Sequence, residues 1–524
     1  MSTESHWFHK ANPLTDHMPN FSELGDVVKA MTNDPLNGLD ISKLSFLEQD
    51  ELLVMEKMPL RPTMQSLRTG LTIRGMANGS LRLRNPTSAS GRAFVDKLVD
   101  GGQSEGLQYF STPQPGSSTL LLLGGTGTSK TVTVKQAFRL LGAQVIRHQS
   151  SEAALWVAST QLVYLFVGMS HDGSRGGLLV GILLAIDRVL KTSHAIDMPK
   201  KFKTIERLSG AVISLLHSLY LGILIIDECQ LRNLVMSDQA DLMQLFLLNL
   251  MNSGIPLVLV GNPFAFTWMV DLSQDGRRMT ERPPEFFHPC GAMGTPEEDE
   301  WEVVFDGVAS YYVLHSPPQN LVECLKELKR CSGGVPGLAL ALWCTAQRQV
   351  LHGEDRTYLR PEDITAAYED SGFDAMRDLA RGFADKDPIR MLRWRDEDVP
   401  VDFYADAWGR VLPDVIPDVT DGATPARVLV EPRVKKGKIA PSAQSKLKAK
   451  KTREANKQLK RTLLNPSLQE VDMRKKGLQQ HALKSLDALL VASGAVKPKV
   501  DTSLPGVGTA VFNVHLPIAT KELG

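Results

Sequence analysis

The stretch that decides the fold is TLLLLGGTGTSKTVTVKQAFRLLG, residues 119–142. It begins with a short apolar run ending in glycines, which is typical of a buried parallel strand. It continues with helical spacing as far as Gly142 and therefore predicts a strand, a glycine-rich turn and a helix. The turn, GGTGTSKT at 124–131, fits the phosphate-binding pattern G-x-x-x-x-G-K-[ST] at every position but one, because Ser129 stands where the last glycine belongs.

A strand entering such a turn and a helix leaving it aim several backbone N–H groups at one point, which suits a phosphate. Lys130 would then reach the β- and γ-phosphates of ATP, and Thr131 would hold Mg²⁺. The candidate nucleotide-binding residues here are Gly124, Gly125, Thr126, Gly127, Thr128, Ser129, Lys130 and Thr131. The loop alone leaves three hypotheses open: a working site, a decayed site and a turn without function. We expect Ser129 to need a negative φ, with a hydroxyl that either adds a donor near the phosphate or weakens binding.

A second piece of the site is predicted about 100 residues downstream. The run LGILIIDECQ brings Asp227 and Glu228 to the carboxyl end of a predicted buried strand, the edge at which open parallel sheets bind ligands. Asp227 fits the Mg²⁺ shell, and Glu228 fits the orientation of a water for attack on the γ-phosphate. The alternative is an ordinary polar strand end. LVLVGNP at 257–263 adds Asn262, which either holds the attacking water or belongs to an Asn-Pro turn.

The order of these elements predicts an α/β fold with a P-loop parallel sheet covered by helices on both faces. Strands are predicted at 119–125, 162–168, 222–228 and 256–263, and residues 317–385 read as three helices without strands. Residues 1–117 show no long period, because Pro, Asn and Gly interrupt it in stretches such as GMANGSLRLRNP. The predicted domains are an N-terminal partner-binding extension (1–117), an ATPase core (118–315), a helical lid (316–385) and a C-terminal basic extension and tail (386–524).

Composition excludes several classes of protein. The 524 residues contain 59 basic and 59 acidic side chains, so any attraction to nucleic acid must be local. Five cysteines without a C-x-x-C pair favour a reduced cytosolic protein over a disulfide framework or a zinc site. We expect neither a signal peptide nor a transmembrane helix.

With these motifs and a helical lid, the chain resembles AAA+ ATPases, and more closely the TnsC/TniB regulators of multicomponent DNA transposons. The resemblance rests on ANPLTDHMP, LTIRGMANGSLRLRNP, SHDGSRGGLLVGILLAIDRVL and DECQLRNL, and it covers roughly residues 10–350. It implies an ATP-dependent oligomer, a ring or helical filament on duplex DNA, in the bacterial cytosol. Its other expected partners are transposase subunits and a TniQ-like target-recognition protein. Gly337 departs from AAA+ proteins that place an arginine at this point of the lid.

The resemblance also suggests where DNA and the neighbouring subunit bind. HDGSR at 171–175 follows the second predicted strand, so His171, Ser174 and Arg175 are DNA-binding candidates, with an exposed turn as the alternative. Arg277 and Arg278 are arginine-finger candidates, or else solvated surface charges. Residues 433–461 hold twelve Lys or Arg and one acid, and they either grip DNA or a transposase or form a solvated linker.

The function predicted from the sequence is an ATP-dependent, DNA-bound AAA+ regulator that links target-site selection to the transposase. Two alternatives stay open. One is an ATP-gated DNA scaffold with little hydrolysis, and the other is a AAA+ loader or remodeller of another protein.

Overall fold

The structure is a computed structural model, and it describes residues 10–235, 237–267, 282–293, 300–353, 356–394 and 399–412. All of these residues belong to one compact unit that spans residues 1–418. Arg277, Arg278 and the basic stretch 433–461 lie outside the described residues.

A five-stranded parallel sheet organises the unit. Seven strands are described, and they are, in chain order, β1 (Thr119–Gly124), β2 (Val145–His148), β3 (Ser159–Leu162), β4 (Tyr164–Gly168), β5 (Ile223–Cys229), β6 (Leu257–Gly261) and β7 (Glu285–Phe287). The sheet has the order β4-β5-β6-β1-β7, and all of its strand pairs are parallel. β1 lies between β6 and β7, so the glycine-rich turn leaves from inside the sheet.

Helices cover both faces of the sheet. The described α-helices are α1 (Leu24–Met31), α2 (Phe46–Met55), α3 (Met64–Leu83), α4 (Ala89–Ser104), α5 (Lys130–Ala137), α6 (Arg175–Leu190), α7 (His194–Lys201), α8 (Ile205–Ser218), α9 (Leu231–Leu234), α10 (Ala240–Met251), α11 (Trp301–Ser310), α12 (Leu321–Ser332), α13 (Pro336–His352), α14 (Pro361–Glu369), α15 (Asp374–Ala384) and α16 (Val401–Ala407). Successive strand residues point to opposite faces. Leu121 and Leu123 of β1 accordingly pack with α6, α8 and α10, whereas Leu120 and Leu122 pack with α3 and α5. The predicted α/β fold is confirmed.

The strand predicted at 162–168 corresponds to β4 of the main sheet, which begins at Tyr164, and a separate short strand precedes it. Residues 159–162 form β3, which pairs antiparallel with β2 outside the main sheet, and the main sheet takes only β4. The apolar run at 162–168 gives no sign of β3, because β3 is mostly polar and shares only Leu162 with that run. The edge strand β7 was not predicted, because its three residues are too few to form a recognisable pattern.

The N-terminal region is more regular than its glycines suggest. α3 runs through Gly75, Asn78 and Gly79 without interruption. Its buried side chains recur every three or four residues and pack on α5 and the sheet, which outweighs the helix propensity of a few glycines. Gly70 permits a close approach, because a Cβ there would lie 2.6 Å from the Met31 sulfur.

The helices after the sheet form a second core that includes part of the N-terminal region. α2 packs on α13, and Leu53 is buried with Trp343 in this core. Asp50 pairs with Arg348 at 2.7 Å. The loop that carries α2 is closed by two backbone hydrogen bonds between Asn33 and Leu60, at 2.8 and 2.9 Å. The domain boundaries proposed from the sequence stay predictions.

Candidate functional site

The glycine-rich turn joins β1 to α5, and two of its three glycines are required by geometry. Gly127 has φ +82°, and a Cβ on Gly124 would lie 2.5 Å from the Phe287 carbonyl oxygen of the neighbouring strand. The Thr128 hydroxyl donates to the Gly125 carbonyl at 2.8 Å, which closes the turn on itself. The eight candidate residues therefore run from the end of β1 through a tight turn at 125–129 into the first turn of α5, at the carboxyl edge of the sheet.

Ser129 differs from our expectation. It adopts φ +66° and ψ +14°, in the left-handed region, whereas we expected a negative φ. The turn imposes here the conformation that the motif's glycine normally supplies, so the serine takes the glycine's backbone path with its side chain in place. Its hydroxyl makes no capping hydrogen bond to α5.

Lys130 and Thr131 occupy the first turn of α5 and point to two different partners. The Lys130 ammonium donates to the carbonyls of Gly124 and Gly125 at 2.9 and 2.7 Å. The Thr131 hydroxyl donates to Asp227 Oδ2 at 2.8 Å. The structure thus brings together residues 96 positions apart in sequence, as the two-part site predicted.

Asp227 is a buried carboxylate at the end of β5, with 6% of its surface exposed. Its described hydrogen-bond partners, the Thr131 hydroxyl and the Glu228 N–H, are both neutral. Charge that is buried without neutralisation is costly, and hard oxygen donors are the ligands Mg²⁺ prefers. The donor set of Thr131 and Asp227 therefore fits a divalent cation.

Asn262 follows β6 at the same edge of the sheet. Its N–H donates to the Cys229 carbonyl at 3.0 Å, which ties the end of β6 to the acidic end of β5. Asn262 is buried, and its backbone carbonyl also closes a turn with Ala265. The hydrogen bond from the Ala265 N–H to the Asn262 carbonyl therefore supports the hypothesis that Asn262 belongs to a turn.

Burial, helped by the Asp227 charge, raises the pKa of the Cys229 thiol, so that sulfur is held neutral beside the site.

Helix α13 of the predicted lid begins against the glycine-rich loop. The Gly337 N–H donates to the Gly127 carbonyl at 2.9 Å, and a Cβ on Gly337 would lie 3.0 Å from the Gly127 Cα. Loop and lid touch backbone to backbone, so position 337 has no room for a long side chain that points at the loop.

Residues of the N-terminal region line the loop as well, and we did not predict them from the sequence. A cavity of about 60 Å³ lies between Thr128, Ser129, Pro336 and several residues from 58 to 66. The Ser66 and Thr133 hydroxyls are 3.1 Å apart and join α3 to α5. The only local signal was Thr63, which caps α3 by accepting from the Ser66 N–H.

The DNA-binding candidates at 171–175 are divided by their contacts. The Ser174 hydroxyl caps α6 by accepting from the Gly177 N–H, and Arg175 pairs with Glu206 at 3.3 Å. His171 is exposed. Two of the three side chains thus have structural partners, and their binding of DNA stays a prediction.

A more exposed basic segment follows, from the end of α6 to the start of α8, and we did not single it out from the sequence. Its exposed cations are Arg188, Lys191, Lys200, Lys201, Lys203 and Arg207. None of these six forms an ion pair within the described part of the chain. The segment reads RVLKTSHAIDMPKKFKTIER. Acids and apolar residues lie between its cations, so the sequence alone does not show that these cations are exposed.

Comparison with protein-family models agrees with the fold. Residues 115–269 match the family model described as an AAA domain. The ORC1 protein of Aeropyrum pernix in complex with DNA is 17% identical and has a TM-score of 0.34, covering 54% of this chain and 68% of that one. CDC6P from Pyrobaculum aerophilum is 15% identical with a TM-score of 0.32, covering 52% and 64%. Drosophila ORC bound to DNA is 14% identical with a TM-score of 0.32, covering 71% and 81%. No curated protein sequence matches significantly.

The chain therefore contains an AAA domain with the AAA+ P-loop fold, followed by further helices. Among its described helices, none has the length and apolar character needed to cross a bilayer.

Proposed function

We propose that this chain is an ATPase whose nucleotide site is formed by the loop 124–131 and the acidic end of β5. The observation that carries the proposal is the 2.8 Å hydrogen bond from the Thr131 hydroxyl to the buried Asp227. The neighbouring Lys130 is folded inward and donates to a carbonyl of the same loop. Thr131 and Asp227 would hold Mg²⁺. Phosphate oxygens would replace the loop carbonyls as partners of Lys130.

The remaining site residues have complementary roles in this proposal. Glu228 orients and deprotonates the attacking water, and Asn262 fixes that water from the neighbouring strand. Arg277 or Arg278 of one subunit would stabilise charge on the γ-phosphate bound by the next. Ser129 leaves the site functional, because its backbone already follows the path of the motif's glycine.

Nucleotide binding is tested with Lys130→Ala. We expect this variant to lose binding of a fluorescent ATP analogue in the presence of Mg²⁺. Lys135→Ala is the matched control, since Lys135 is an exposed lysine on the same helix and lies over the Phe166 ring. A wild-type protein without nucleotide binding would identify the loop as decayed.

We further propose that the ATP-bound protein assembles on duplex DNA in the bacterial cytosol and regulates DNA transposition. In this role it marks the target and passes the signal to transposase subunits, with a TniQ-like protein as target-recognition partner. The resemblance of SHDGS and DECQ to TnsC/TniB proteins supports this proposal, and so does the exposed basic segment 188–207. An ATP-gated scaffold and a protein remodeller are the alternatives.

Electron microscopy with duplex DNA, with and without ATP, tests assembly. We expect ATP-dependent rings or filaments, and DNA affinity that falls with salt with a slope of about −0.9 per phosphate neutralised. Lys200, Lys201 and Lys203 changed together to alanine should weaken binding and flatten that slope. The control variant removes three exposed lysines from other elements, Lys29, Lys97 and Lys326.

The outcomes separate the hypotheses. Assembly with scarcely any turnover selects the scaffold, and hydrolysis without stable duplex binding selects the remodeller. Equal DNA binding by the two triple variants would remove the basic segment from the interface.

A further inference from the structure

The carboxylate of Glu228 has a hydrogen-bond partner to which no function has been assigned. Glu228 adopts φ +58°, in the left-handed region, immediately after the buried Asp227. Its Oε2 accepts a hydrogen bond from the Gln230 side-chain amide at 2.8 Å. Among the described residues, no other group forms a hydrogen bond with this carboxylate, so its second oxygen stays available.

A second amide fixes the backbone of the same loop. Asn233 has only 5% of its surface exposed. Its Oδ1 accepts from the Gln230 N–H at 2.9 Å, and its Nδ2 donates to the Glu228 carbonyl at 3.0 Å. One buried side chain thereby holds both residues in register. A left-handed glutamate is costly, and such conformations persist where the surroundings determine them.

We propose that Gln230 is a positioning residue for Glu228. Its amide anchors one carboxylate oxygen and leaves the other directed toward the water, and Asn233 fixes the loop from which both side chains project. This inference rests on the proposed ATPase function. An exposed glutamate otherwise distributes over several rotamers, and ordering such a side chain costs conformational entropy that a hydrogen bond to one of its oxygens can offset. A base oriented by a third group is a recurrent arrangement in enzymes.

The test is Gln230→Met, which keeps the length of the side chain and removes the donor. We expect kcat for ATP hydrolysis to fall by about 10- to 100-fold, the range that a displacement of about 1 Å can produce. The dissociation constant for ATP should stay within about twofold, because the hydrogen bonds that Gln230 donates in the described part of the chain go to Glu228 and Asn233 and not to the loop 124–131. A purely structural role would move both quantities or neither.

The matched control is Gln244→Met on α10. The Gln244 amide donates to the Leu234 carbonyl at 2.8 Å and does not contact Glu228. It therefore reports the cost of losing a comparable amide hydrogen bond, and we expect its kcat to equal that of the wild type. Adding Gln230→Met to Glu228→Gln should have no further effect on kcat, since the oriented carboxylate is already gone.

Each outcome of these assays either supports or overturns the positioning role of Gln230. Unchanged kcat in Gln230→Met, while Glu228→Gln abolishes hydrolysis, overturns the positioning role and keeps the ATPase. A raised kcat overturns it as well and makes Gln230 a restraint on Glu228. Wild-type protein that binds but never hydrolyses ATP, at any DNA concentration, overturns both proposals.

Discussion

Ser129→Gly measures the strain stored in the phosphate-binding loop. A residue with a side chain in the left-handed region pays about 1–2 kcal/mol relative to the right-handed one. Glycine avoids that cost but loses about 0.5–1 kcal/mol more backbone entropy on folding. With φ at +66°, we expect the substitution to raise the free energy of unfolding by up to about 1.5 kcal/mol, the largest difference between these two effects.

Affinity for ATP should respond differently from stability. The loop already has the backbone conformation that the motif's glycine provides, so nucleotide binding does not have to impose it. We therefore expect the dissociation constant for ATP to change by less than about twofold. Urea unfolding and a fluorescent-nucleotide titration on the same preparations measure the two quantities.

Two further variants make the test specific. Ser129→Ala retains a side chain in the left-handed region and should be no more stable than wild type. Lys191→Gly replaces another left-handed residue, at φ +61° after α6, and should gain a similar amount of stability. The reasoning fails if Ser129→Gly is no more stable than Ser129→Ala. A tenfold gain in ATP affinity would instead mark Ser129 as the lesion of a decaying site.

Three further predictions follow from the site and its surroundings. Glu228→Gln should bind ATP normally and stop hydrolysis, as single-turnover assays can measure. Gly337→Ala should destabilise the protein by about 1–3 kcal/mol, because its Cβ would lie 3.0 Å from the Gly127 Cα. Gly353→Ala, with 3.5 Å contacts at the other end of α13, is its milder control in thermal unfolding. Burial, with the Arg84 charge, lowers the pKa of His217 to about 3. Between about pH 6.5 and 3 only the unfolded state takes up this proton, so at pH 5 the folded state loses about 2 kcal/mol relative to pH 7. His217→Gln should flatten that dependence in urea titrations.

Sequence patterns predicted the parts of the fold that depend on burial. Runs such as ILIIDE and LVLVG report strands whose two faces are both covered, and they were placed correctly. The acidic end of β5 and the loop lysine follow from the same logic, because the carboxyl ends of parallel strands meet at one edge. Contacts between residues that are distant in sequence could therefore be predicted from the sheet topology alone.

Features determined by single backbone angles or by tertiary partners were not predictable in this way. Periodicity says nothing about the φ of Ser129, and a glycine count misjudges α3, whose stability comes from packing on α5. The bond between Gln230 and Glu228 depends on a left-handed residue that no pattern signals. The exposure of the cations at 188–207 depends on how α6, α7 and α8 pack, which no sequence pattern reports.

The closed loop that carries α2 has a mechanical consequence. Its two ends meet at Asn33 and Leu60, between elements packed on the sheet, while its middle is fastened to the lid through Asp50 and Leu53. Rotation of the lid must therefore displace this loop, because its middle moves with the lid while its two ends stay joined to each other near the sheet. The extensibility of residues 34–59 limits how far the lid can open. A protein that binds those residues would reduce the range of lid opening without contacting the nucleotide.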